Sequence, residues 1–219
     1  MKKTILLFSA LLIFGNLSAQ DKAALVNPII GTNGMGHTFP GACVPFGLGQ
    51  LSPDTDTIPH NVDGKYQPRA YEYCAGYQHK DSSIVGFSHT HFSGTGHSDL
   101  GDILIMPVTG ELKLNPGTAT DPDGGYRSRF SHDTEVSRPG YYEVMLADYG
   151  VKAQLTATKR VGVHKYTFPK EAKNQRIILD MIHGIYNYDG KVLWTNIRVE
   201  NDTLVTGYRI TNGWARTNY

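Results

Sequence analysis

Hydrophobic and polar residues alternate with a period of two through the second half of the chain. The alternation is cleanest where Val151, Ala153, Leu155 and Ala157 interleave with Lys152, Gln154, Thr156 and Thr158. Successive side chains on a strand point to opposite faces, so this spacing predicts a strand with one face buried and one in water. Residues 142–147 precede it across Asp148-Tyr149-Gly150, a turn with glycine where positive φ is needed, which predicts a hairpin. Further strands are predicted over residues 163–168, 177–182, 192–199 and 203–211, the last two joined by the turn signal Glu200-Asn201-Asp202. No stretch of helical length carries apolar residues at three-and-four spacing. The pattern predicts an all-β protein built as an antiparallel β-sandwich, with a barrel of similar strand count as the alternative that periodicity alone leaves open.

The first half is organised differently. Residues 31–69 are rich in glycine and proline with only short apolar pieces, and read as long ordered loops. Phe39, Phe46, Tyr66, Tyr71, Tyr73 and Tyr77 argue against disorder, because disordered segments are poor in aromatics. Residues 88–102 read Ser-His-Thr-His-Phe-Ser-Gly-Thr-Gly-His-Ser-Asp-Leu-Gly-Asp. Such a run, with His89, His91, His97, Asp99 and Asp102, would be costly to bury unpaired, and Gly94, Gly96 and Gly101 let the backbone turn and approach a polar molecule. It is expected to face a ligand.

Charge narrows the ligand. The chain carries 21 Lys and Arg against 20 Asp and Glu, with neither the basic excess of nucleic-acid binding nor a basic amphipathic face for an anionic membrane. A neutral polar ligand is expected. At the N-terminus, Lys2 and Lys3 precede an apolar run ending at Phe14, followed by the small residues Ser18 and Ala19. This is the pattern of a secretory signal peptide over residues 1–20, too short to span a bilayer, which needs ~20 apolar residues. Export makes a disulfide between Cys43 and Cys74 chemically possible, beside the alternative of two buried thiols. The alternation of the last predicted strand runs on to Tyr219 without a breaker, which predicts that the domain is a truncated part of a longer protein.

Several chemistries compete for these residues. His89 and His91, two apart on an extended segment, face one side and could share a zinc ion. However, only the first half of the Thr-His-x-His-x-Asp-His pattern of the metallo-β-lactamase-like hydrolases is present, with Ser93 and Gly94 where that pattern has Asp and His. Gly94-Thr95-Gly96 has no following helix to offer a phosphate. Ser88 and Ser93 lack a nucleophile elbow. For acid and base work the candidates are Asp99 and Asp102, with Glu72 and Asp54 behind them. Asp54 and Asp56 lie in a proline-flanked context where aspartate is expected to cap backbone amides, and Asp99 and Asp102 could equally pin their loop by accepting amide hydrogens.

Asn27-Pro28-Ile29-Ile30-Gly31-Thr32, Gly36-His37-Thr38-Phe39-Pro40-Gly41-Ala42, Pro45-Phe46-Gly47, Gly86-Phe87-Ser88-His89-Thr90-His91 and Ser93-Gly94-Thr95-Gly96 occur in this order. Together they strongly resemble the N-terminal region of glycoside hydrolase family 92, as do Asp148-Tyr149-Gly150, Ala157-Thr158-Lys159-Arg160 and Asn212-Gly213-Trp214-Ala215 further on. The resemblance implies an exported bacterial enzyme, periplasmic or at the cell surface. That enzyme would be a calcium-dependent, inverting α-mannosidase whose N-terminal sandwich, residues 21–219 here, packs on a C-terminal (α/α)6 barrel. It further implies that the acid, the base and most Ca2+ ligands belong to the barrel, leaving no catalytic or metal-binding residue in this chain. Its contribution would be substrate-binding, through Gly36, His37, Thr38, Phe39, Ser88, His89, His91, Ser93, Gly94, Gly96, Asp99 and Asp102, to a cleft for mannose-containing glycans. Two other readings compete with it, a stand-alone carbohydrate-binding module and, less favoured, a zinc hydrolase built on His89 and His91.

Overall fold

A computed structural model describes residues 21–213, except 60, 98, 186, 187 and 189. The predicted signal peptide and the end of the chain from Trp214 to Tyr219 lie outside the described residues. The predicted strands of the second half are present as Tyr141–Leu146, Val151–Ala157, Gly162–Thr167, Arg176–Asp180, Val192–Asn201 and Leu204–Thr211. The hairpin forms in the register Tyr142↔Leu155, Val144↔Ala153 and Leu146↔Val151, turning through Gly150 at φ +61°.

With Val136–Arg138 and Gly162–Thr167 on its edges, this hairpin makes a four-stranded antiparallel sheet. A five-stranded antiparallel sheet opposes it, in the order Ala42–Cys43, Gln50–Asp54, Gly86–Ser88, Leu104–Val108 and Arg176–Asp180. Both sheets are open, so the architecture is a sandwich and the barrel alternative falls away. Tyr142, Val144, Leu146, Val151, Ala153 and Leu155 from one sheet meet Leu51, Phe87, Leu104, Met106 and Val108 from the other in one apolar core. Each buried Leu, Val or Phe contributes ~1.5–3 kcal/mol of transfer free energy before conformational entropy is counted.

The reading of residues 31–69 as loops throughout is corrected here, because Gln50–Asp54 is a central strand. Leu51 faces the core, so period two turns Ser52 and Asp54 to the opposite face, as it turns Ser88 away from Phe87. That outer face is not in water: Ser52, Asp54 and Ser88 are all fully buried beneath the glycine-rich loops. A strand covered on both sides shows no alternation of apolar and polar residues, and Ser-Pro-Asp at its end disguises it further.

No disulfide joins Cys43 and Cys74. The final pair, Val192–Asn201 with Leu204–Thr211, forms a separate two-stranded sheet whose large apolar side chains are substantially exposed, including Trp194, Ile197 and Val199. No helix among the described residues is long and apolar enough to cross a membrane.

Candidate functional site

The buried outer face of the five-stranded sheet is organised around one carboxylate. Asp54 accepts a hydrogen bond from His91 Nε2 at 3.0 Å on one oxygen and from His183 Nε2 at 2.7 Å on the other. His91 is fixed further by its Nδ1, 2.8 Å from the Gln50 carbonyl, and by its Nε2, 3.0 Å from Ser88 Oγ. Burial by itself would raise the Asp54 pKa, but the two imidazoles outweigh it and hold the carboxyl well below the usual range, so it is an anion. Gly76, at φ +78°, makes room: a Cβ there would lie 2.1 Å from Asp54 Oδ1. The expectation that Asp54 caps a turn is therefore replaced by a buried carboxylate held between two imidazoles. Asp56 does bond the Thr57 amide, and it also pairs with Arg127 at 3.1 Å. Glu72, held in reserve as an acid or base, pairs with Lys80 at the surface.

His89 and His91 do not converge. While His91 turns inward, His89 places Nδ1 2.7 Å from the Ile103 carbonyl and Nε2 3.0 Å from Nε2 of His164. His164 in turn lies 2.7 Å from the Tyr166 hydroxyl. Burial lowers the pKa of His89, and burial together with the neighbouring His89 pushes His164 down to about 3. The pair is thus neutral near pH 7. A shared zinc ion on His89 and His91 is not what this geometry offers. Among the described residues, the group of three or more metal-ligating side chains lies elsewhere, at His79, His132 and Glu135.

The acidic candidates of the loop are also engaged. Buried Lys191 donates to both the carboxylate and the carbonyl of Asp99 at 2.7 Å. Asp102 accepts from Thr90 Oγ1 at 2.8 Å and pairs with buried Arg209 at 3.1 Å. Both cations come from the terminal hairpin or its approach, so these aspartates tie the 88–102 loop to that hairpin. Of the twelve residues predicted to meet a sugar, His37, Phe39, Ser88, His91 and Asp99 are buried.

The two predicted segments do meet. The Gly94 amide donates to the His37 carbonyl at 2.6 Å, placing Gly36–Phe39 beside Ser93–Gly96. Gly36, Ser93, Gly94 and Gly96 are exposed and Thr38 is half-buried, donating its hydroxyl to the Ile30 carbonyl. Buried His37 holds φ +52°, a costly conformation for a non-glycine residue, and its Nε2 has no hydrogen-bond partner. Its ring stands edge-on to Tyr71 at 4.8 Å. Phe39 packs its ring 4.9 Å from His91 and lines an open, mostly apolar pocket of about 440 Å³ together with Gly41, Gln50, Ser93, Val26 and Phe46. Through His91, which packs against Phe39, the anchored Asp54 network backs one wall of this pocket. Sequence reasoning missed His183, Lys191 and Arg209, whose partners lie 129, 92 and over a hundred residues away, with no local motif to mark them.

The fold is an all-β sandwich with a polar, loop-roofed sheet face and a shallow concave edge. Residues 25–219 match the model of the glycosyl hydrolase family 92 N-terminal domain. The chain belongs to glycosyl hydrolase family 92, of which it carries the N-terminal domain. It is similar to the family GH92 α-mannosidase BT3965 of Bacteroides thetaiotaomicron, solved in complex with mannoimidazole, at 45% identity and a TM-score of 0.79 over 89% of this chain and 24% of that one. The family glycosyl hydrolase ccman5 is 26% identical with a TM-score of 0.68, over 90% of this chain and 25% of that one. An uncharacterized secreted glycosidase of Arthroderma benhamiae is 30% identical over 158 residues, 68% of this chain and 18% of the relative. The chain thus spans about a quarter or less of the length of these relatives.

Proposed function

We propose that this chain is the N-terminal sandwich of an exported α-mannosidase that cleaves α-mannosidic bonds of glycans with inversion, and that it forms one wall of the mannose cleft. The observation that carries the reading is the exposed edge where Gly36–Phe39 meets Ser93–Gly96, braced from beneath by the Asp54–His91–His183 network. The exposed Ser93 hydroxyl suits the reading of sugar hydroxyls, and the apolar pocket beside Phe39 suits the less polar face of a pyranose ring. An inverting glycosidase needs an acid and a base ~6.5–9.5 Å apart with room for a water. Asp54, Asp99 and Asp102 are each committed to a cationic or imidazole partner, so the acid and base are assigned to polypeptide outside this chain. The same three pairings argue against a calcium site here, since that ion requires several uncommitted oxygen ligands. Calcium, if the whole enzyme uses it, is assigned to the remainder of the protein.

The exposed apolar side chains of the terminal hairpin, Trp194, Ile197, Val199 and Tyr208 among them, are proposed to pack against that remainder. The test compares the chain alone with the protein extended to the length of its relatives, in α-mannoside hydrolysis and in mannoimidazole binding. Turnover is expected only from the longer form, and replacing Ser93 and Thr38 with Ala there is expected to raise KM more than it lowers kcat. Turnover by the short chain, or full activity of the double variant, would overturn the assignment.

A further inference from the structure

Away from the proposed cleft, Tyr77, His79, His132, Glu135 and Tyr142 gather where the segment after Gly76 passes the one-turn helix His132–Thr134. Each of His79, His132 and Glu135 offers a ligand atom within 4.8 Å of the other two. The two imidazole rings lie 4.0 Å apart.

The carboxylate is the informative member. Its side chain is only 3% exposed, and among the described residues its ion-pair partner is His132 Nδ1, at 2.6 Å. Neither Lys nor Arg pairs with it among those residues. Tyr77 donates to its two oxygens at 2.9 and 3.0 Å, and Tyr142 donates to Oε1 at 2.7 Å. These phenols fix the carboxylate in place without neutralising it. A buried carboxylate held by neutral donors and facing two imidazoles is the arrangement that a divalent cation completes, because the ion supplies the missing charge and the donors orient the ligand.

We propose that His79, His132 and Glu135 form a binding site for a first-row transition-metal ion, Zn2+ in the first instance. Imidazole nitrogens favour zinc over the hard ions calcium and magnesium, which take oxygen ligands. Tetrahedral zinc with bonds of ~2.0–2.1 Å sets ligand atoms about 3.3 Å apart, so no separation needs to close by more than about 1.5 Å. His132 can supply that movement, since its side chain is 38% exposed and can turn about its own χ angles. A fourth position remains open to water, and no reaction is assigned to it. The site would have a mechanical role. The His79 amide donates to the Thr32 carbonyl at 2.8 Å, and Gln78 bonds both the amide and the carbonyl of Gly34, at 2.8 and 3.0 Å. An ion clasping His79 to His132 therefore stiffens the approach to Gly36–Phe39.

The proposal does not depend on the mannosidase reading, and its test reads metal rather than turnover. Chelator-stripped full chain, kept in excess Ca2+ to occupy oxygen sites, is titrated with CoCl2 followed by visible d–d absorption, then with ZnCl2 by calorimetry. One equivalent is expected, with zinc displacing cobalt. His132→Ala, at an exposed position that leaves folding intact, and His79→Ala are each expected to weaken binding about ten-fold or more. His164→Gln, which removes the other close imidazole pair, is expected to leave it unchanged. Failure to take up a stoichiometric ion, affinity unaltered in His132→Ala, or loss in His164→Gln instead would each overturn the proposal.

Discussion

Asp54 is a fully buried anion whose stability contribution depends on two imidazoles brought from far along the chain. Removing it takes away the carboxylate that His91 and His183 share in a closed interior, and losing a buried charged partner costs about 3–5 kcal/mol. Asp54→Ala is therefore expected to lower the unfolding free energy from urea titration by that amount at pH 7, and a change under about 1 kcal/mol would show that the network is dispensable. The His89–His164 pair gives a pH-dependent expectation of the opposite chemical type. Burial holds both imidazoles below their ordinary pKa, with His164 down to about 3. Above about pH 6.5 neither the folded nor the unfolded His164 carries the extra proton, so its contribution is complete. As pH falls from 6.5 toward 3, the unfolded chain binds a proton that the folded chain refuses, and stability is lost on the order of 3 kcal/mol. His164→Gln should flatten that part of the stability curve, measured by thermal melts across pH 4–7; an unchanged slope would count against a neutral buried pair. Few of these roles were visible in the residue types. Histidines and aspartates clustered at 88–102 mark a polar segment in the sequence, but which of them face inward depends on partners such as His183 and Lys191 that no spacing links to the cluster.

At the level of elements, legibility followed solvent. The Tyr141–Leu146 and Val151–Ala157 strands carry one wet face, so their period-two pattern survives in the sequence and even their register follows from the Gly150 turn. Gln50–Asp54 and Gly86–Ser88 are covered on both faces, and the polar residues on their outer side are satisfied by loops rather than by water. The sequence marks neither as a strand, although both occupy interior positions of the sheet. This contrast has an energetic corollary. Leu155, at the centre of the legible strand, is 1% exposed and meets the opposite sheet, so Leu155→Ala should cost about 2–5 kcal/mol by denaturant titration. Val163 on the neighbouring strand, 48% exposed, should tolerate Val163→Ala within about 0.5 kcal/mol. Equal costs at the two positions would mean that the sheet is covered on a side where water is drawn here.

Among the described residues, the terminal hairpin carries an apolar surface that the sandwich leaves uncovered. An isolated two-stranded hairpin is marginal in water, yet Val192–Asn201 and Leu204–Thr211 extend from the sandwich with Trp194 59% and Val199 71% exposed. The base of the hairpin is secured, because Lys191 holds Asp99 and Arg209 holds Asp102, which couples it to the same loop that edges the proposed cleft. Its far end has no such anchor among the described residues, where Arg198 and Glu200 pair on the surface. Relatives four times as long provide the polypeptide that could cover it, and a hairpin gripped at one end by the cleft loop and at the other by a second domain would transmit the position of that domain to Ser93–Gly96. The chain alone should then bind a hydrophobic dye such as ANS and self-associate, and Trp194→Ser with Val199→Thr should reduce both. In the longer protein the same two substitutions should do the reverse, increasing protease sensitivity and weakening mannoimidazole binding although neither residue lies at the cleft. If they leave the longer protein as stable and as tight-binding as before, the hairpin faces solvent there and the coupling between it and the loop of the proposed cleft is absent.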